Sequence, residues 1–466
     1  MIEKIISATN DALYSYVLII LLALVGIYFT VRTRFAQFRL LGQQFKAVME
    51  KTDGKGVSSF QALMVSTASR VGTGNIIGVA TALCMGGFGS VFWMWVIAMI
   101  GAASAFVEST LAQIYKKRGL EGCYGGPAYY IQAATKRKSL AVIFSIFLIL
   151  TYGFGFNMLA SYNLQATFAS YSFYNGSVTP WIIGGIIAVL VGYCLIGGGK
   201  RIISVTSFLV PIMGALYILV AIVISLLNVK ILPEVFAEIF RGAFDLKAIF
   251  GGFSGSCVMY GIKRGLFSNE AGVGSAPNAS ASAEVSHPAK QGLVQVLSVF
   301  IDTMLVCTAT AFMCMTSGVE VPAGSDQAAA YVQSALAASL GAVGPIFITV
   351  AMILFAFTTL LGNLYYVDKT INYLLGKEPS KTFRNVCYVI ASLVIFVGAG
   401  LSADLLWGIA DITMGGMTLI NLPVILYLGK YAIRTLRDYE KQLKKGGQVS
   451  FKVEDIQLPH ETDYWN

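Results

Sequence analysis

Charge is what this sequence has least of. Only 12% of its 466 residues are Asp, Glu, Lys or Arg, against 56% hydrophobic. A soluble domain carries about 25% charged residues, so water cannot be the solvent for most of this surface and lipid must be. Histidine is scarcer still, with only His287 and His460. The seven cysteines (Cys84, Cys123, Cys194, Cys257, Cys307, Cys314 and Cys387) include no C-x-x-C pair. Two distant histidines and scattered thiols exclude a zinc cluster, and the cysteines read as small, polarizable packing groups. No G-x-x-x-x-G-K-[ST] run occurs, which argues against an ATP-driven pump. The opening "MIEKIISATNDALYSY" lacks a basic n-region and an A-x-A-like site, so the first apolar run reads as a retained helix.

Long apolar runs are what is present. About 20 residues cross a bilayer core, and eleven runs meet that length, near 13–31, 58–85, 88–115, 140–170, 181–198, 202–227, 246–275, 291–317, 341–373, 385–401 and 403–431. Alternate connections are basic. Arg32, Arg34, Arg39, Lys46, Lys51 and Lys55 follow the first run, and Lys116, Lys117, Arg118, Lys136, Arg137 and Lys138 follow the third. Lys200 and Arg201 follow the fifth, Lys369, Lys377, Lys381 and Arg384 the ninth, and seven more cations the last. The opposite connections, such as "GGFG", "GVEVPAGSD" and "LSAD", hold no Lys or Arg; the 228–247 connection alone departs from the pattern. Cytoplasmic loops carry the Lys/Arg excess. The N-terminus is therefore expected outside and the C-terminus inside a plasma (cytoplasmic) membrane. The net charge of +9 is a topology signal and no nucleic-acid partner is expected, since no basic, aromatic-rich face emerges.

Within the second run stands "SRVGTGN", residues 69–75. Each glycine costs roughly 1 kcal/mol relative to Ala in a helix, and an arginine near the bilayer centre costs a few kcal/mol or more. Close helix packing would explain Gly72, Gly74 and Gly78 but not Arg70, Thr73 and Asn75. A helix that stops and restarts explains them all. Its freed N–H groups can hold a carboxylate and its freed carbonyls a cation. A second interruption lies in the seventh run, at Gly251–Gly255 or at Gly261–Ser275, and the density of Ser268, Asn269 and Glu270 favours the latter. Breaks five spans apart fit two halves of opposite orientation around a midplane site.

The motifs "SRVGTGNIIGVATALCMGGFGSVFWMW", "GGPAYYI" (125–131), "KRGLFSNEAGVGSAP" (263–277) and "FAFTTLLGN" (355–363) together resemble the alanine/glycine:cation symporter family. The resemblance runs from about residue 15 to residue 435. It implies an all-α integral membrane protein of eleven transmembrane helices: one N-terminal helix plus a LeuT-type 5+5 inverted-repeat core with two broken helices. The segments would be 1–57 (extra helix and loop), 58–228 and 229–432 (the two repeats) and 433–466 (cytoplasmic tail). It implies import of a small neutral amino acid with Na⁺, or with H⁺. By similarity, Gly72, Thr73 and Gly74 offer N–H groups to the substrate carboxylate, and Asn75 steadies the break or touches substrate. Carbonyls of Ala68, Val71 and Phe355 and hydroxyls of Thr358 and Thr359 coordinate Na⁺, although the two hydroxyls could instead bond back to their own helix. Ser268 and Asn269 meet the amino group or line the pocket, and Asn363 closes it. One departure concerns "GFNMLASYN" (155–163), where the family's glutamine position holds Ala160 and the following asparagine is displaced to Asn163. That leaves room for a larger substrate such as glutamine.

Other charges need accounts. Glu108 reads as a helix-end residue beside a basic loop, and Glu270 as a tie from the inner half-helix to a neighbour. Asp302 reads as a cation site or a partner of Arg70, for which Glu270 and Asp411 also compete. The stretch from Tyr439 to Asn466 reads as a solvated tail. Membrane lipid is the expected surroundings, with a monomer plausible. An ion channel is the rival from another class, disfavoured by the lack of a carbonyl-lined filter or charge ring. An enzyme is not expected; both histidines lie outside the spans, which argues against a nucleophile–His site but not against a paired-acid one.

Overall fold

A computed structural model describes residues 2–50, 56–119, 122–245, 256–459 and 462–465. Lys51, Lys55, His460 and the alternative break at Gly251–Gly255 lie outside the described residues. Among the described residues the regular structure is helical apart from one small antiparallel hairpin, Lys117–Gly119 with Gly122–Tyr124, and an isolated bridge between Val57 and Ala283.

Among the described residues, nine helices are long and apolar enough to cross a membrane: Ala8–Arg32, Gly89–Ile114, Lys138–Ala166, Thr179–Ile196, Gly198–Leu227, Pro288–Met315, Val343–Leu375, Lys381–Gly398 and Ala403–Lys445. Their outward faces carry bare apolar side chains, among them Val189, Ile196, Phe208 and Leu226. In water such a surface would aggregate; facing hydrocarbon it is the rule. Polar residues instead line the centre, where Asn75, Glu108, Asn157, Asn163, Asn269, Glu270, Asp302 and Asn363 are all fully buried.

The two remaining apolar runs are shorter because each is interrupted. Ser59–Arg70 opens with a capping box, in which Ser58 Oγ accepts the Gln61 N–H while Gln61 Oε1 accepts the Ser58 N–H. It stops at Val71 (ψ 86°) and the chain resumes as Gly74–Gly86, whose first turn is widened to π geometry. The second broken run, Cys257–Asn269, ends at Glu270 in the left-handed region (φ 53°). Gly272 and Gly274 (φ 85° and 91°) carry it to the short helix Pro277–Ser280.

The ends of the bundle can be told apart by the C-terminal tail. Val57, just before the first half-helix, pairs with Ala283 and packs near Trp465 of the tail. Lys263 and Arg264, midway along Cys257–Asn269, pair with Asp411 in the early turns of the final helix, away from the tail. The first broken helix thus runs from the tail end inward, and the second runs toward the tail end.

Three expectations change here. Glu108 is no helix-end surface residue: it is fully buried, accepting from Gly272 N–H (3.3 Å) and Asn421 Nδ2 (2.8 Å). Position along the run suggested the end of a span, but the Gly89–Ile114 helix packs centrally and takes Glu108 to the second break. Asp411 is no partner of Arg70, since Lys263 Nζ (2.9 Å) and Arg264 Nη2 (3.2 Å) hold it. The tail is not simply solvated, because Val449, Phe451 and Ile456 are buried.

The helix carrying the second break lies close against Gly89–Ile114, and a Cβ at Gly261 would strike the Ser90 carbonyl. Overpacking costs about 1–3 kcal/mol. Gly261→Val is therefore expected to lower the melting temperature of the purified protein by several degrees; an unchanged transition would refute that close approach.

Candidate functional site

The two interruptions meet in the middle of the bundle, and side chains stand in for the missing helical hydrogen bonds. A backbone group left unpaired in hydrocarbon costs several kcal/mol. At the first break, Asn75 Oδ1 accepts the Gly72 N–H at 2.7 Å and Thr310 Oγ1 donates to Asn75 O at 2.7 Å. At the second, Asn269 Oδ1 accepts the Ala271 N–H at 3.0 Å, and Asn421 Nδ2 donates to Gly272 O at 2.9 Å.

Glu270 joins the breaks to each other. One carboxylate oxygen accepts from Ser69 Oγ on the first broken helix (3.1 Å), the other from Ser275 Oγ just beyond the second break (2.6 Å). Asp302, on a π-widened stretch of the Pro288–Met315 helix, is the other hub. It accepts from Asn75 Nδ2 (2.6 Å), Ser268 Oγ (2.8 Å) and Thr303 Oγ1 (2.8 Å). One carboxylate therefore binds both broken helices.

A scan against known families places residues 1–453 in the one described as the sodium:alanine symporter family. The chain belongs to that family. It is similar to the amino-acid carrier protein AlsT of Bacillus subtilis (strain 168), 43% identical over 99% of this chain and 97% of that protein. It is also similar to the probable sodium/glutamine symporter GlnT of the same organism, 39% identical over 100% and 96%. The sodium/alanine symporter AgcS of Methanococcus maripaludis is 35% identical over 94% of this chain and 97% of its own length.

In this member of the family the motif residues are sealed from the surface. Val71, Thr73, Asn75, Ser268, Asn269, Thr359 and Asn363 are all buried. On the side away from the tail, Phe267 stacks edge-on to Trp407 (4.8 Å between centroids) and packs on Phe156 (4.5 Å). Arg264 lies over the other part of this roof, 3.9 Å from the Trp407 ring centre. Above it a cavity of about 520 Å³ opens among Asn10, Lys263, Arg264, Ser402 and Asp411.

Several sequence expectations about individual residues are altered. The Gly72 N–H is engaged by Asn75 Oδ1, while Thr73 and Gly74 stand at the start of the next half-helix, where N–H groups lack intrahelical acceptors. Ser268 and Asn269 turn to Asp302 and Thr303 rather than into an open pocket. Asn363 bonds to Asn157 (2.9 Å) and Ser69 (2.7 Å), so it ties three helices together instead of closing a pocket. Thr358 donates back to Leu354 O at 2.9 Å, the alternative anticipated for it. Thr359 does not: its hydroxyl is buried with no hydrogen-bond partner and faces Gly72, where any Cβ would collide with it. Asn163 reaches Thr73 Oγ1 at 3.2 Å, with Ala160 buried beside it in the same helix. Ser69, Asn157, Cys307 and the Phe267–Trp407 roof escaped sequence reasoning. A serine or phenylalanine inside an apolar run gives no signal of what it will face.

The centre is acid-rich. Glu108, Glu270 and Asp302 are fully buried, and none has a Lys or Arg nitrogen within 4.0 Å among the described residues. The one cation near them is Arg70, whose Nη1 bonds Gln295 Oε1 at 2.9 Å while Nε and Nη2 have no partner. Arg70 thus meets none of its three candidate acids in direct contact. Buried carboxyl groups demand compensation, and here hydrogen bonds supply it: from Gly272 and Asn421 to Glu108, from Ser69 and Ser275 to Glu270, and from Asn75, Ser268 and Thr303 to Asp302.

Thr359→Ala removes a buried, unpartnered hydroxyl that faces Gly72. The half-saturating Na⁺ concentration for transport is expected to rise about tenfold, which is about 1.4 kcal/mol, with the melting temperature kept. An unshifted Na⁺ dependence would take Thr359 out of the ion's path.

Proposed function

We propose that this chain imports a small neutral amino acid together with Na⁺ by alternating access, from outside to cytoplasm. The single observation carrying this is the buried interruption at Val71–Thr73, which sets backbone donors, backbone carbonyls and the orphan Thr359 hydroxyl around one point. The architecture we assign is eleven spans: the nine long helices and the two broken ones. Helix Ala8–Arg32 stands outside a LeuT-type core of two inverted repeats, 58–228 and 229–432. The opposite directions of the broken helices support the inversion. Loop charge puts the N-terminus outside and the tail end in the cytoplasm.

In this reading Na⁺ enters first. Carbonyls of Ala68, Val71 and Phe355 with Thr359 Oγ1, joined by Thr358 through its remaining lone pair, supply the hard oxygen donors a sodium ion prefers. The substrate carboxylate then docks on the Thr73 and Gly74 N–H groups, where the positive end of the Gly74–Gly86 half-helix adds its field. Asn75 fixes the shape of the break and passes it to Asp302. Ion and carboxylate each neutralise the other in a dry site. That explains why one does not travel without the other: either charge alone, buried there, would cost several kcal/mol. Closure of the Phe267–Trp407 roof separates the loaded site from the outer cavity.

Radiolabelled alanine should accumulate in proteoliposomes under an inward Na⁺ gradient and exchange with internal alanine in counterflow. Uptake indifferent to both Na⁺ and H⁺ gradients would reject coupling, and linear, non-saturable flux would favour a channel.

A larger substrate is a second reading, favoured by Ala160. In this reading a substrate glutamine side chain takes the place that the family's own glutamine would occupy at that position, in the helix whose Asn163 reaches Thr73. Ala160→Gln should then depress glutamine uptake roughly tenfold more than alanine uptake, the scale at which pockets discriminate by volume. Equal effects on both substrates would discard that reading.

A further inference from the structure

The segment beyond the last helix returns to the cytoplasmic end of the bundle and is tied there residue by residue. Gln442 brackets Ser450, donating to its carbonyl at 2.7 Å and accepting its N–H at 3.0 Å. Arg434 Nη1 donates to Ile456 O at 3.0 Å. Phe451 packs on His287, ring centroids 5.2 Å apart. His287 Nδ1 accepts the Ala289 N–H, which leaves Nε2–H to donate to Asp438 at 3.1 Å. Burial holds this imidazole below its ordinary pKa, so it sits there neutral.

The final contacts fall on one spot. Trp465 donates its indole N–H to Gln113 O at 2.7 Å and packs its ring beside Val57, Ala62, Ala283 and Val285. Lys116 Nζ lies 3.8 Å from the Tyr464 ring centre and 4.9 Å from that of Trp465, and donates to Ala283 O at 3.0 Å. Asp463 accepts the Arg118 N–H at 2.8 Å and lies 3.7 Å from Lys117.

That spot is the junction of the two broken helices. Val57 immediately precedes the Ser58 cap of the first half-helix, and Ala283 follows the short helix of the second. The Glu284 N–H donates to Val57 O at 2.9 Å, and Gln113 Nε2 donates to the carbonyls of Ser280 and Ala283. The central site can open to the cytoplasm only if Ser59–Arg70 parts from residues 277–285. Trp465 packs against both sides of that seam.

We propose that residues 462–465 are a latch: Asp463, Tyr464 and Trp465 clasp Lys116, Lys117, Arg118 and Gln113 and hold the inward path shut. Any cytoplasmic event that draws the tail off would then release transport. This rests on the alternating-access reading, but its test has a readout that does not need uptake. Cys307 lies at the central site, its Sγ 3.3 Å from Asn75 Nδ2. Its labelling from the cytoplasmic side of inside-out vesicles, by a membrane-impermeant methanethiosulfonate and read by peptide mass, reports inward opening.

Trp465→Ala in the full-length chain is expected to raise the Cys307 labelling rate several-fold and to speed alanine uptake. Trp465→Phe, which keeps a ring but loses the N–H, should fall between it and the parent. Labelling no faster than in the parent would overturn the latch. Should Trp465→Ala not accumulate in the membrane, Asp463→Asn carries the test at the more exposed clasp, with faster labelling expected and an unchanged rate again overturning it. A parent protein that takes up no alanine would count against the symport reading and leave the Cys307 comparison intact.

Discussion

A backbone that breaks its helix inside a bilayer must find new partners for every group it frees, and the rest of this structure follows from that requirement. Asn75 and Asn269 sit within one or two residues of the breaks and cap them with their own side chains. Glu270 and Asp302 then bind the two breaks into one unit. Among the buried groups left without a partner are the Thr359 hydroxyl and two nitrogens of Arg70, and the first N–H groups of the Gly74–Gly86 half-helix lack intrahelical acceptors. A site of this kind is stable when loaded and costly when half loaded, which is the thermodynamic basis of coupled transport.

The same requirement explains the distribution of charge. Few ionisable groups enter the bundle, and those that do are held in networks rather than in simple pairs. Lys263 and Arg264 share Asp411 above the aromatic roof, while three acids and Arg70 occupy the level of the breaks. The ends of the bundle differ in the same spirit. One is roofed by Phe267 and Trp407, the other closed by backbone hydrogen bonds between Val57 and Glu284 and by the tail packed over them.

Much of this was legible in the residues. Hydropathy depends on the solvent, so it survives any rearrangement of the helices, and nine of the eleven runs read from it are helices long and apolar enough to cross a membrane among the described residues. Glycine beside Arg, Thr and Asn in an apolar run marked the first break, and "SNEAG" the second, because no lipid-facing helix tolerates such groups. The family motifs pointed to the same two places. Less accessible were pairings across helices. Arg70 could be given three acids by elimination, yet Gln295 takes its direct hydrogen bond. Glu108 looked terminal because position along a run does not tell what packs against it, here Gly272 and Asn421.

The sequence by itself determined the solvent, the helical class and the positions at which regular structure fails, since each is fixed by local composition against a low-dielectric surrounding. Tertiary structure decided which freed groups satisfy one another and which stay open. Gly72 became closed and Thr359 open because Asn75 lies within reach of one and not the other. It also decided that the polar tail folds back over the seam, where Lys116 and the Val57–Ala283 bridge await it. Hydrogen bonds and cation–ring contacts act over a few ångströms. Which residues come that close is set by packing between segments as much as hundreds of positions apart, and no local pattern encodes it.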